Sequence, residues 1–167
     1  MRYEPAWYDL DTRFDHIAEY LGDRPVHHVL DFGALNTIMA QRFTARYNAH
    51  VTVVDDALNG GTVLDNVTYI GKRLGPAAIR KLPHQDVTLC LSVLHHQPQW
   101  RNYLDALHSI SGVLFVETAH PDEELPNAAA HQKSPAILAE LANRGTPLCE
   151  TPGYDDRYTR TLWAITA

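Results

Sequence analysis

The chain has 167 residues and a mass of 18.8 kDa, enough for one sizeable hydrophobic core and too little for two ordinary domains. Apolar residues make up 45% and charged residues 20%, which sets intrinsic disorder aside. Fourteen basic against twenty acidic side chains leave a formal charge of −6, which argues against bulk capture of nucleic acid. Two cysteines, Cys90 and Cys149, exclude a disulfide-rich scaffold. The apolar runs are strand length, short of the roughly 20 residues needed to cross a bilayer, so no membrane partner is expected. The stretch Met1-Arg2-Tyr3-Glu4-Pro5 has no apolar signal core, and a cytoplasmic location is the simplest expectation. Ten histidines make the surface charge sensitive to pH near neutrality.

In chain order, the helical spacing of Phe14, Ile17, Ala18 and Leu21 predicts a helix over 11–21, with Gly22 as its stop. A strand over 26–32 follows, then a turn at Gly33 and a helix over 34–47. The run 50–54 is a second strand, closed by Asp55-Asp56. The stretch 57–66, with Gly60-Gly61, reads as a loop or a frayed helix, and 67–70 as a short third strand. A short helix over 76–82 leads into 86–94, the most apolar run and a doubly buried strand. A helix over 98–110 carries Trp100, Tyr103, Leu104 and Leu107 along one stripe. The fifth strand is 112–116. A polar loop over 120–134 and a helix over 135–143 precede two last strands, 147–150 and 157–165, joined by a turn at Pro152-Gly153.

Strands separated by helical patterns mean βαβ units and a mostly parallel sheet covered on both faces. The last two strands lack an intervening helix and pair as an antiparallel hairpin at one edge. The expected architecture is a doubly wound, seven-stranded, Rossmann-like α/β sheet in a single domain over 1–167. Within it, 1–24 is an N-terminal helical segment and 25–167 the sheet core. Ligands of such sheets sit beyond the carboxyl ends of the strands at the switch point, here after the first and fourth strands.

Val29-Leu30-Asp31-Phe32-Gly33, Asp55 at the end of the second strand, and Asp86 to His96 with the order of elements resemble the class I S-adenosylmethionine (AdoMet) methyltransferases. The resemblance covers nearly the whole chain. It implies AdoMet as cofactor, held by Asp31, Gly33, Ala34, Asp55 and Asp56 on one side and by Ser92, Val93 and Leu94 on the other. It further implies methyl transfer to an oxygen or nitrogen of a small molecule or nucleotide, with His95 or His96 assisting the acceptor. The residues also carry plainer readings: Asp31 and Gly33 as an ordinary strand-to-helix turn, Asp55 and Asp56 as helix caps.

The chemistry behind these positions is simple. A glycine after a buried strand lets the backbone turn tightly and approach a ligand. The helix that follows offers free N–H groups and a positive dipole end. A carboxylate at the neighbouring strand tip accepts from a ribose diol. Adjacent residues in a strand face opposite ways, so neither His95-His96 nor His27-His28 is expected to chelate a metal ion. Glu117, ending the fifth strand, is a further pocket candidate, and Cys90 a small buried hydrophobe.

Two departures bear on the cofactor side. Where the family shows Asp-x-Gly-x-Gly-x-Gly, this chain keeps Gly33 but places Leu35 and Thr37 at the later glycine positions. Gly71-Lys72-Arg73 follows the third strand where many members have an acid. They motivate a second expectation, a catalytically degenerate fold acting as a binding or interaction module. They also leave room for nucleotide chemistry of another kind on the same sheet. The loop 120–134 and the turn 153–158 flank the site, and Trp7 and Tyr8 form a lid or staple the first helix to the core. No segment is left for a substrate cap, so the pocket is shallow unless a homodimer or a large substrate closes it.

Overall fold

A computed structural model describes residues 9–57, 65–125 and 128–166. Trp7, Tyr8, Gly60-Gly61 and part of the loop 120–134 lie outside these residues.

Helix α1 (Leu10–Leu21) begins where the Asp9 carboxylate accepts the Thr12 backbone N–H at 3.0 Å and its hydroxyl at 2.6 Å. It ends at Gly22, whose φ of +58° suits a residue without Cβ. Strand β1 (His28–Phe32) starts two residues later than its apolar pattern suggests. The Asp86 carboxylate accepts the backbone N–H groups of His27 and His28 at 2.7 and 2.9 Å and fixes the approach to that strand.

Helix α2 (Ile38–Tyr47) is shorter than expected, because the chain stays unwound over 34–37. Strands β2 (His50–Val54) and β3 (Val67–Ile70) follow, then the short helix α3 (Pro76–Ile79) and strand β4 (Gln85–Leu91). That strand stops three residues before the expected end. Ser92 takes a φ of +61°, and Leu94–His96 form a single 3-10 turn. Helix α4 (Trp100–His108), strand β5 (Ser111–Glu117), helix α5 (Ser134–Arg144) and strands β6 (Thr146–Pro152) and β7 (Thr159–Thr166) complete the order.

The seven strands form one sheet in the order β3-β2-β1-β4-β5-β7-β6. β1 lies parallel to both β2 and β4, with Val29 opposite Val51 and Val87. β7 runs antiparallel to β5 and to β6, and the β6–β7 register is broken between Pro147 and Cys149. This is the doubly wound sheet with a C-terminal hairpin that the strand–helix order predicts.

Alternation along each strand splits the core in two. Val29, Val51, Val87 and Phe115 pack with Phe14, Ile17 and Phe43 on the α1 and α2 side. Leu30, Cys90 and Leu114 pack with Leu104, Leu107, Ile137 and Leu141 on the α4 and α5 side. On the first side Phe43 meets Phe14 edge-on at 5.3 Å and stacks on Tyr47 at 5.7 Å. Phe43 is fully buried, so Phe43→Ala is expected to cost about 3–5 kcal/mol, read from the midpoint of urea unfolding.

Candidate functional site

β1 and β4 are neighbours from which the chain departs to opposite sides, and a crevice opens beyond their carboxyl ends. A cavity of about 590 Å³ lies there. β1 supplies its first wall. Asp31 is only 4% exposed, lines the cavity, and its carboxyl accepts no hydrogen bond among the described residues. Burial pushes its carboxyl up to about 7, with the charge of Asp55 adding to the effect.

Gly33, next along that wall, has a φ of +76°, and a Cβ built there would stand 2.4 Å from a methyl of Val93. The glycine is thus required twice, for its left-handed backbone and for close packing against the turn after β4. Ala34 and Leu35 continue the wall. Leu35 sits at φ +55° and its backbone N–H donates to Asp55 at 2.9 Å. Its side chain is 53% exposed, so it borders the crevice without filling it.

β2 delivers Asp55, whose other carboxylate oxygen accepts from Ala57 N–H at 2.7 Å. Both oxygens therefore brace loop backbone, which resembles the plain capping reading, yet each oxygen keeps a further lone pair and the residue lines the cavity. Asp56 pairs with Arg73 at 2.5 Å on the exposed rim, an ion pair of small energetic value. Lys72 and Arg73 line that rim as well.

The opposite wall comes from the turn after β4. Ser92, Val93, His95 and His96 line the cavity, whereas Leu94 points into the core beneath. His95 and His96 are not strand neighbours, so the opposite-faces argument does not apply to them; their rings lie 4.3 Å apart within the 3-10 turn. His95 is buried, and its Nδ1 accepts the Ala119 backbone N–H at 3.1 Å. Burial, with the charges of His96, Arg160 and His131, pushes its pKa down to about 2.

Beneath this wall lies a buried network that the sequence pattern only touched through Glu117. Arg13 donates to both Glu117 oxygens, at 2.5 and 3.1 Å. Ser92 and Thr151 hydroxyls donate to the same carboxylate at 2.8 and 3.1 Å. Arg160 donates to Ser92 at 2.8 Å and grips Glu123 at 2.8 and 3.0 Å. Glu123 also accepts the backbone N–H groups of His120 and Tyr154, and a Cβ on Gly153 would lie 2.2 Å from it. Arg13 lies four residues before Ile17 on the buried stripe of α1, and Arg160 alternates with Leu162 and Ala164 along β7. Those positions were the available signals.

The fold is that of the AdoMet-dependent methyltransferases. Among solved structures, the bifunctional kinase-methyltransferase WbdD is similar at 17% identity and a TM-score of 0.67, over 94% of this chain and 38% of WbdD. This chain thus spans about two fifths of WbdD's length. The N-methyltransferase NodS from Bradyrhizobium japonicum WM9, in complex with S-adenosyl-l-homocysteine (SAH), is 12% identical with a TM-score of 0.63, over 95% of this chain and 86% of NodS. The N-terminal domain of EvdMO1 with SAH bound is 14% identical with a TM-score of 0.64, over 96% of this chain and 82% of that one. No family model and no curated protein matches the sequence. At these identities the likeness establishes the fold.

Two variants test the geometry of the first wall. The folded-state pKa of Asp31 lies above its ordinary value, so stability falls as pH rises from the carboxylate range through 7. Asp31→Asn is expected to stabilise the protein by a few kcal/mol at about pH 8, the gain fading toward about pH 4, as measured by urea unfolding. Leu35→Gly removes a left-handed leucine at the cost of a looser unfolded chain, and should be neutral to stabilising by up to about 1 kcal/mol in thermal melts.

Proposed function

We propose that the crevice binds AdoMet and that the protein transfers its methyl group to an oxygen or nitrogen acceptor on a small molecule or nucleotide. The observation that carries this reading is the convergence of Asp31, Gly33 and Asp55 with the Ser92–Val93 turn on one cavity at the switch point. The residues suit the cofactor chemically. Asp31 is a buried carboxyl without a donor, matched to a cationic group, and the spare lone pairs of Asp55 suit a ribose diol. AdoMet supplies an electrophilic methyl on a sulfonium, and the protein's task is chiefly to align the acceptor with it.

The SAH bound by NodS and EvdMO1 supports the same assignment. Leu35 and Thr37 in the first loop, with Lys72-Arg73 after the third strand, motivated the alternative of a degenerate binding module. Leu35 borders a cavity that remains about 590 Å³ in volume, so Leu35 lends that alternative no support, while Thr37 and Lys72-Arg73 still depart from the family pattern. The other site residues take their places accordingly: Ala34 and Val93 as walls, Asp56 on the rim, Leu94 as support beneath, His95 and His96 at the acceptor end.

Isothermal calorimetry with AdoMet and SAH tests the reading, and absence of binding at about millimolar ligand would overturn it. Asp55→Ala should weaken AdoMet binding by about 1–3 kcal/mol through loss of charge-assisted bonds and of the braced loop. An unchanged affinity would remove Asp55 from the site.

A further inference from the structure

The proton on His95 has a position fixed by its neighbours. A backbone amide only donates, so the Ala119 N–H at 3.1 Å requires a lone pair on Nδ1. The Thr118 hydroxyl lies 3.3 Å from the same nitrogen. The single proton of the neutral ring therefore sits on Nε2. A second proton on Nδ1 would set two donors against each other. Burial, with the charges of Arg160 on β7, His131 on the turn before α5 and His96 beside it, opposes that protonation further. The acids on neighbouring elements, Glu117 and Glu123, are each clasped by an arginine. Among the described residues Nε2 makes no hydrogen bond, and His95 lines the cavity.

We propose that His95 presents a permanent Nε2–H donor to the methyl acceptor, and that the reacting atom it holds is an oxygen of a hydroxyl, phenolate or carboxylate. This rests on the methyl-transfer reading above and narrows it. The reason is a count of lone pairs. A neutral amine has one, and donation from Nε2–H consumes the pair that must attack; an ammonium has none. An oxygen has at least two, so one is held by His95 while another stays free.

The same tautomer excludes His95 as the base, since its only basic nitrogen is engaged by Ala119. In the transfer, the free oxygen lone pair forms the new O–C bond while the C–S bond breaks and its electron pair returns to sulfur. An anionic oxygen is neutralised in this step and no proton moves. A hydroxyl also gives up its proton, and His96, whose ring is 4.3 Å from that of His95 and lines the same cavity, is the base at hand.

Long-range nitrogen–proton NMR of histidine-labelled protein, free and with SAH, tests the assignment. The Nε2–H pattern of His95 is expected throughout about pH 6 to 8.5, and an Nδ1–H tautomer or a doubly protonated ring would overturn it. These spectra are readable without ligand, so the tautomer is tested apart from cofactor binding, whereas failed SAH binding overturns the methyl-transfer reading and with it the acceptor role. Phenol, benzoate and benzylamine then serve as probes of the SAH complex. The two oxygen probes should shift the Nε2–H resonance and the amine should not. An equal response to the amine, or none to either oxygen probe, overturns the proposal. His95→Gln, which keeps an N–H donor, should hold phenol affinity within about threefold, whereas His95→Phe should lose about tenfold. Equal affinities in the two variants would also overturn it.

Discussion

The ion pair between Arg13 and Glu117 is the interaction on which the site's geometry depends. Both side chains are out of water, and breaking such a pair by removing one partner leaves a stranded charge that costs on the order of 3–5 kcal/mol. Its reach is longer than two residues. Arg13 belongs to α1, Glu117 to the end of β5, Ser92 to the end of β4, Thr151 to β6, and Arg160 to β7. Arg160 passes the connection on to Glu123 in the loop after β5. Two arginines against two glutamates leave the network without net charge. The floor of the cavity is polar and rigid yet presents no bare ion to a ligand.

Through Ser92 this network sets the conformation of the second wall. The hydroxyl of Ser92 is held between a glutamate and an arginine at a residue with positive φ. That bend ends β4, starts the 3-10 turn, and swings the two histidines to the cavity instead of alternating across a sheet. The first wall is organised by a different carboxylate, Asp55, which braces Leu35 and Ala57. One wall is thus set by buried charge, the other by an acid at a strand tip.

The architecture was legible because it rests on local periodicity. Valine-rich runs alternate with amphipathic stretches, and a helix-free connection between the last two strands announces a hairpin. The residues gathered by the cavity were largely legible for the same reason, since strand ends place them. What escaped the sequence depends on distant partners. Ala34 and Leu35 have helical propensity and continue the spacing of α2, but Asp55, twenty residues on, holds Leu35 out of the helix. Arg13 falls on the buried stripe of α1, but nothing near it in the sequence names its partner, which lies 104 residues later. Ser92 gives no local sign of positive φ, so His95 and His96 read as strand.

The hairpin has one more physical meaning, at the sheet's outer margin. β6 is one of the two edge strands of the described sheet, β3 being the other, and an open strand edge is a template for pairing with other chains. Here Pro147 and Pro152 remove two backbone donors from that edge, and the irregularity between Pro147 and Cys149 bends it out of register. The strand that closes this side of the sheet is also built to stop it from growing there. On the β6 side, the sheet gives a neighbouring chain little backbone on which to add an eighth strand.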